Sequence, residues 1–166
     1  MANIKDIAYV RFCVADLQAQ KQFLDDFGFQ TKIENGLLSA RGTDCSPYIY
    51  LAEESSEPAF VSVGFTAESE AALREIAAID GAPVESNPME GGGVITRLTD
   101  PNGFAVDVIA GGRDARSLNI AGRSDFNRGD DKQRLGQRVA FEAPECLIKR
   151  LGHVVLMVND FNETFE

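Results

Sequence analysis

A chain of 166 residues that is 44% hydrophobic can bury a core of its own, and its 26 acidic against 16 basic residues leave a net charge of −10. That charge sets it against a nucleic acid or an anionic membrane, whose phosphates would repel it. No apolar run reaches the length of a membrane span, and Met1-Ala2-Asn3-Ile4-Lys5 lacks the basic-then-apolar order of a signal peptide, so a cytoplasmic location is expected.

Ala8, Val10, Phe12 and Val14 alternate with Ile7, Tyr9, Arg11 and Cys13, the period of a strand with two different faces. Asp16 follows as a helix N-cap, Leu17, Phe23, Leu24 and Phe27 recur at helical spacing, and Gly28 marks the stop. Three strands are expected next, Phe29 to Glu34, Leu37 to Arg41 and Tyr48 to Ala52, with Asn35-Gly36 as a hairpin turn between the first two. The pattern then repeats. Phe60 to Thr66 reads as a strand, Glu68 to Asp80 as a helix stopped by Gly81, and Pro83 to Glu85, Val94 to Leu98 and Phe104 to Ile109 as strands. Gly91-Gly92-Gly93 is a turn rather than a phosphate loop, since no Lys-Ser/Thr follows it and no helix starts there. Asp100-Pro101-Asn102-Gly103 places Pro and Gly where a type I turn needs them.

Residues 5–110 are therefore two βαβββ units in tandem, an α+β domain spanning 1–112. Residues 113–147, rich in Gly, Arg, Asp and Asn with only Arg138 to Glu142 strand-like, read as a linker or wrapping arm. This stretch is also where basic residues gather: Arg113 to Arg150 holds 9 basic and 6 acidic residues, against 7 and 17 before it. Cys13, Cys45 and Cys146 are widely spaced and odd in number, which suggests free thiols rather than a disulfide framework or zinc site, with Cys13 a small core residue.

Residues 148–166 hold an internal repeat. Leu151-Gly152-His153-Val154-Val155-Leu156-Met157-Val158-Asn159-Asp160 echoes Ile7 to Asp16, with the only histidine opposite Tyr9. It reads as the first strand of a second module, Leu151 to Val158, followed by a helix start at Asp160 and Glu163. An unpaired apolar strand exposes a sticky edge, so pairing with the first module's sheet or with a second copy, as a homo-oligomer, is expected.

The tandem order, the Val14-Ala15-Asp16 helix start and the Asp-Pro-Asn-Gly turn with Asp107 beyond it resemble the vicinal oxygen chelate superfamily, which includes glyoxalases, bleomycin-resistance proteins, fosfomycin-resistance enzymes and type I extradiol dioxygenases. The resemblance implies a mixed-sheet cup. Metal-using members place a His in the first strand, a His in the strand opening a later unit and a Glu in the strand after the Asp-Pro-x-Gly turn. Here those places hold Tyr9, Ser62 and Asp107. A 2-His-1-carboxylate site needs neutral imidazoles, so only Asp107 is a credible ligand and no metal is expected in the first module.

His153 stands where the first iron ligand stands in the catalytic module of a two-module extradiol dioxygenase. The resemblance thus implies an N-terminal module plus the opening of a catalytic one, with Fe(II) (or Mn(II)) and O2 acting on catechol-type aromatics in the complete enzyme. The other two ligands do not occur in this chain, which is therefore not expected to cleave rings alone. The alternative is a metal-independent small-molecule binder of the bleomycin-resistance type; glyoxalase chemistry ranks below both, because Tyr9 and Ser62 are not its ligands. Tyr9, Arg11, Ser62, Gly64, Arg97 and Asp107 share the concave face of the cup. They read either as a pocket for a small aromatic molecule or as an Arg-Asp pair and a tyrosine filling the cleft of a scaffold.

Overall fold

The computed structural model describes residues 3–118 and 148–165. Its elements in chain order are β1 (Ile4–Val14), α1 (Leu17–Asp26), β2 (Gln30–Glu34), β3 (Leu37–Arg41), β4 (Tyr50–Glu54), β5 (Ala59–Ala67), α2 (Glu70–Asp80), β6 (Val84–Ser86), β7 (Val94–Thr99), β8 (Ala105–Ala110) and α3 (Phe161–Phe165). Local chemistry sets their ends. Asp16 accepts from Gln18 N at 2.9 Å and Ala19 N at 2.8 Å, and Ser69 accepts from Ala72 N at 3.1 Å. Gly81 ends α2 in the left-handed region, where glycine carries no Cβ penalty. Asn35 and Gly36 both take positive φ, as a two-residue hairpin turn requires.

The strands form one eight-stranded mixed sheet in the order β2-β3-β4-β1-β5-β8-β7-β6. β1 and β5 pair antiparallel at its centre, and each has a parallel partner on its other side, β4 and β8 respectively. The two βαβββ units are thus related by a pseudo-twofold axis between β1 and β5. Alternate residues face opposite ways. Leu38, Ala40 and Ala52 pack beneath Leu17 and Leu24 of α1, while Ala67, Val108 and Ala110 pack beneath Ala72 and Leu73 of α2. Between the helices a row of aromatic rings, Tyr50, Phe12, Phe60 and Phe104, crosses the join with centroids 5.5, 5.6 and 6.0 Å apart. On the face away from the helices, Tyr9, Tyr48 and Leu51 form a third cluster with Leu37, Met89 and Ile109.

The sheet curls around that third cluster. Lys32 lies on β2 and Glu90 in the turn between β6 and β7, at the two outer ends of the strand order, yet their side chains meet at 2.6 Å. The chain leaving β8 then runs back over the module: Arg113 N donates to Gly91 O, Ala115 N to Cys45 O and Leu118 N to Thr43 O. Thr43 N in turn donates to Ile148 O at 2.9 Å, so residues 118 and 148 are both held by buried Thr43. Gly42 permits this, because a Cβ there would overlap the Lys149 carbonyl.

The expected strand Arg138 to Glu142, and Cys146, lie outside the described residues. Cys13 and Cys45 are free and half-buried. The repeat Leu151 to Val158 is not a strand. β1, which it echoes, is hydrogen-bonded along both edges, whereas this segment has no ladder partner among the described residues and leaves Val155 and Met157 82% and 93% exposed. The helix start does form: Asp160 Oδ1 accepts from Asn162 N and Glu163 N, and Asn102 holds the segment to the β7–β8 turn through Asn159 N and Thr164 Oγ1. No helix among the described residues is long and apolar enough to cross a membrane.

One buried side chain makes a test of the packing. Thr96 is fully buried on β7, and its hydroxyl has no hydrogen-bond partner among the described residues. A buried polar group without a partner costs about 1–3 kcal/mol. Thr96→Val, which keeps the shape and removes the hydroxyl, is expected to raise stability by about 1 kcal/mol in urea unfolding with an unchanged m-value.

Candidate functional site

The central strand pair decides which polar residues meet. Tyr9 of β1 is opposite Gly64 of β5, and Gly64 is opposite Asp107 of β8. With no side chain at Gly64, the Tyr9 ring lies across that position; a Cβ there would fall inside the ring. The phenol thereby crosses one strand and donates to Asp107 Oδ2 at 2.7 Å. Ser62, two residues before Gly64 on the same face, donates to the same oxygen at 2.7 Å. All three are buried, with 2%, 2% and 4% of their surface exposed for Tyr9, Ser62 and Asp107. Burial, followed by the adjacent Asp107 carboxylate, pushes the Tyr9 phenol above its ordinary value.

The two arginines of the expected site point elsewhere. Arg97 is opposite Asp107 in the β7–β8 ladder, but it pairs with Glu85 at 2.5 Å on the exposed edge, so the expected Arg-Asp pair does not form. A guanidinium on a long stem reaches water and an exposed carboxylate more cheaply than it enters a buried cluster whose acceptor already holds two hydroxyls. Arg11 pairs with Glu53 of β4. His153 is exposed, apart from the buried cluster.

Tyr48, Leu51 and Asn87 complete the site and carried no sequence signal of a role. Superposing the helix caps Asp16 and Ser69 sets Tyr9 over Ser62, and the parallel registers Val10 to Tyr50 and Val63 to Val106 then set Leu51 over Asp107. The pseudo-twofold axis thus gathers Tyr9, Leu51, Ser62 and Asp107. These residues do not fit a divalent cation. The carboxylate oxygen that would face the ion is turned to two hydroxyl donors, the phenol is biased toward its neutral form, and Leu51 brings no donor atom. Among the described residues no three of His, Cys, Asp and Glu come together as a metal site.

Beyond Tyr9 the same face opens. Tyr48 meets the Tyr9 ring edge-on at 5.3 Å, and its hydroxyl accepts from Asn87 Nδ2 at 3.3 Å. Burial pushes the Tyr48 phenol up, against the lowering effect of the Asn87 hydrogen bond. A cavity of about 370 Å³ adjoins both residues, reaching from Ala8 and Thr66 to Ile109 and Gly111, and Tyr9, Ser62 and Asp107 are not among its lining.

A curled mixed sheet built from two βαβββ units about a pseudo-twofold axis is the vicinal oxygen chelate fold, the fold of glyoxalases and extradiol dioxygenases. Among solved structures that share it are the Mn(II)-bound glyoxalase of Novosphingobium aromaticivorans, at 20% identity and a TM-score of 0.64 over 73% of this chain and 44% of that one. An extradiol ring-cleaving dioxygenase from B. fuscum matches at 18% identity and a TM-score of 0.63, over 70% of this chain and 35% of that one. An E323L mutant of homoprotocatechuate 2,3-dioxygenase from Brevibacterium fuscum matches at 17% identity and 0.62, with the same coverage. The chain spans less than half the length of each of these neighbours. No protein-family model and no curated protein matches it.

Replacing the shared acceptor tests the cluster. Asp107→Ala leaves two buried hydroxyls without an acceptor and is expected to cost about 3 kcal/mol, whereas Asp107→Asn, which keeps an accepting oxygen, costs about 1 kcal/mol; chemical denaturation measures both. The phenol gives a pH signature. Because the folded value of Tyr9 lies above the ordinary 10.0, its contribution is complete below pH 10.0 and is lost as pH rises above it, where only the unfolded chain sheds the proton. The alkaline loss of stability is expected to be shallower in Tyr9→Phe than in the unsubstituted chain.

Proposed function

We propose that the chain is a metal-free scaffold module of a protein related to the extradiol dioxygenases, within the glyoxalase, bleomycin-resistance and dioxygenase group. The observation that carries this reading is the closed cluster: Tyr9 and Ser62, at the places where metal-using members carry histidines, spend their hydroxyl protons on Asp107 Oδ2. The match to a minority of each neighbour's length supports it further. In this reading ring cleavage of a catechol-type aromatic belongs to a site with Fe(II) or Mn(II), which this module does not build. The module contributes a rigid, curled sheet, and the His153 segment is held against it at Thr43, Asp44 and Asn102. His153 itself descends from a metal ligand and has no partner ligands among the described residues, and the protein works in the cytoplasm.

Metal analysis tests the proposal. After incubation with Fe(II) or Mn(II) and desalting, the chain is expected to retain only substoichiometric metal, unchanged by His153→Ala, and to leave catechol intact in air. One equivalent of metal that disappears in Asp107→Asn would sink the reading. A second reading, a binder of small molecules that needs no metal, is favoured by one observation: the cavity of about 370 Å³ beside Tyr48 is within the size range of small-ligand sites.

A further inference from the structure

We infer that the cavity beside Tyr48 takes a neutral, flat aromatic molecule carrying an oxygen that accepts a hydrogen bond from the Tyr48 hydroxyl. The inference rests on the second reading above and gives it a place and a ligand chemistry. Tyr48 and Asn87 are 4% and 7% exposed, and both line the cavity. The Tyr48 hydroxyl accepts from Asn87 Nδ2, and its own proton has no acceptor among the described residues. Asn87 Oδ1 is itself committed to Met89 N at 3.1 Å, so it cannot turn to take that proton. A buried donor without an acceptor is costly, and a ligand oxygen removes the cost.

The walls select the rest of the ligand. Ile7, Ala8, Pro47, Ala67 and Ile109 offer apolar surface, and the backbone of Gly91 and Gly92 forms a side with no side chain to obstruct a flat ring. The charges at the rim balance. Of the carboxylates, Asp6 is paired with Arg150 at 3.3 Å and Glu90 with Lys32 at 2.6 Å, a lysine that the exposed Glu34 outside the lining also reaches at 3.2 Å. That leaves Glu68 and Asp114 with Lys5 and Arg113 in the lining, two of each sign. A charged ligand therefore finds no net attraction at the rim to offset the loss of its hydration, whereas a neutral one has little to lose. The loop that supplies Asn87 and Gly91 is also the one clasped to β2 through Glu90 and anchored by Met89 in the Tyr9 cluster, so the cavity wall is braced from both edges of the sheet.

Three isosteric probes decide the matter on the full chain: 2-naphthylmethanol, 2-naphthylmethylammonium and 2-naphthoate, titrated by amide chemical shifts. The alcohol is expected to bind more tightly than either ion, shifting the amides of Ile109, Ala110, Gly91 and Gly92, and Tyr48→Phe is expected to weaken it roughly fivefold. Equal or tighter binding of a charged probe, or an alcohol affinity unchanged in Tyr48→Phe, overturns the inference. If Tyr48→Phe does not fold, the ranking of the three probes on the unsubstituted chain decides alone. Shifts confined to another part of the sheet remove this site but keep metal-independent binding, and no shift with any probe removes both.

Discussion

Asp107 Oδ2 holds two hydroxyls from two other strands, and the inner face of the sheet is organised around that arrangement. The Tyr9 proton reaches it only because Gly64 leaves the space between them open. Once the ring lies over β5, it becomes the floor against which Tyr48, Leu51 and Met89 pack. A buried carboxylate is tolerated where donors meet it, and here the donors come from residues 98 and 45 positions away in the chain. The same contacts that stabilise the join between the two βαβββ units also commit Asp107 Oδ2 to two hydroxyl protons.

The curl of the sheet follows from that packing. An open sheet of eight strands has two edges, and each needs protection from other chains. The inner cluster draws the β6–β7 turn toward β2, where Lys32 and Glu90 join the two ends of the strand order. The ion pair is half-exposed and contributes little by itself; the apolar anchor at Met89 sets the position that the pair reports. Thr43 does comparable work for residues far apart in the chain, accepting from Leu118 N on its carbonyl and donating its amide to Ile148 O. The curled sheet, the clasp and this double tether define the cavity beside Tyr48 without any residue of the Asp107 cluster lining it.

Much of the fold was legible in the sequence because it depends on neighbours. Asp16 and Gly81 cap helices through bonds spanning a few residues, and Asn35-Gly36 turns a hairpin whose register puts Glu34 opposite Leu37. Tandem order and period-2 alternation located the strands, with ends displaced by up to three residues, as for the first strand, read from Ile7 and observed from Ile4. The site was legible only in part. Tyr9, Ser62 and Asp107 were singled out and do meet, whereas Arg11 and Arg97 turn to Glu53 and Glu85, partly exposed carboxylates that let the guanidiniums keep their hydration. Asn87 follows a three-residue strand in a loop with no pattern, so its contact with Tyr48 left no trace in the sequence. The segment Leu151 to Val158 shows the limit most clearly: its pattern is that of β1, but pattern does not supply a ladder partner.

By itself, then, the sequence determined the order of the elements, their caps and turns and the pseudo-repeat, all properties of residue type and short spacing. Only the tertiary structure decided that Tyr9 and Ser62 share one oxygen of Asp107, that Arg97 does not, that the sheet edges meet at Lys32 and Glu90, and that a cavity remains beside Tyr48. The reason is distance along the chain. Caps and turns are closed by bonds over two to four residues, whereas the partners of a buried polar group are chosen by whichever strands the packing brings alongside, and that choice is made only when the sheet assembles.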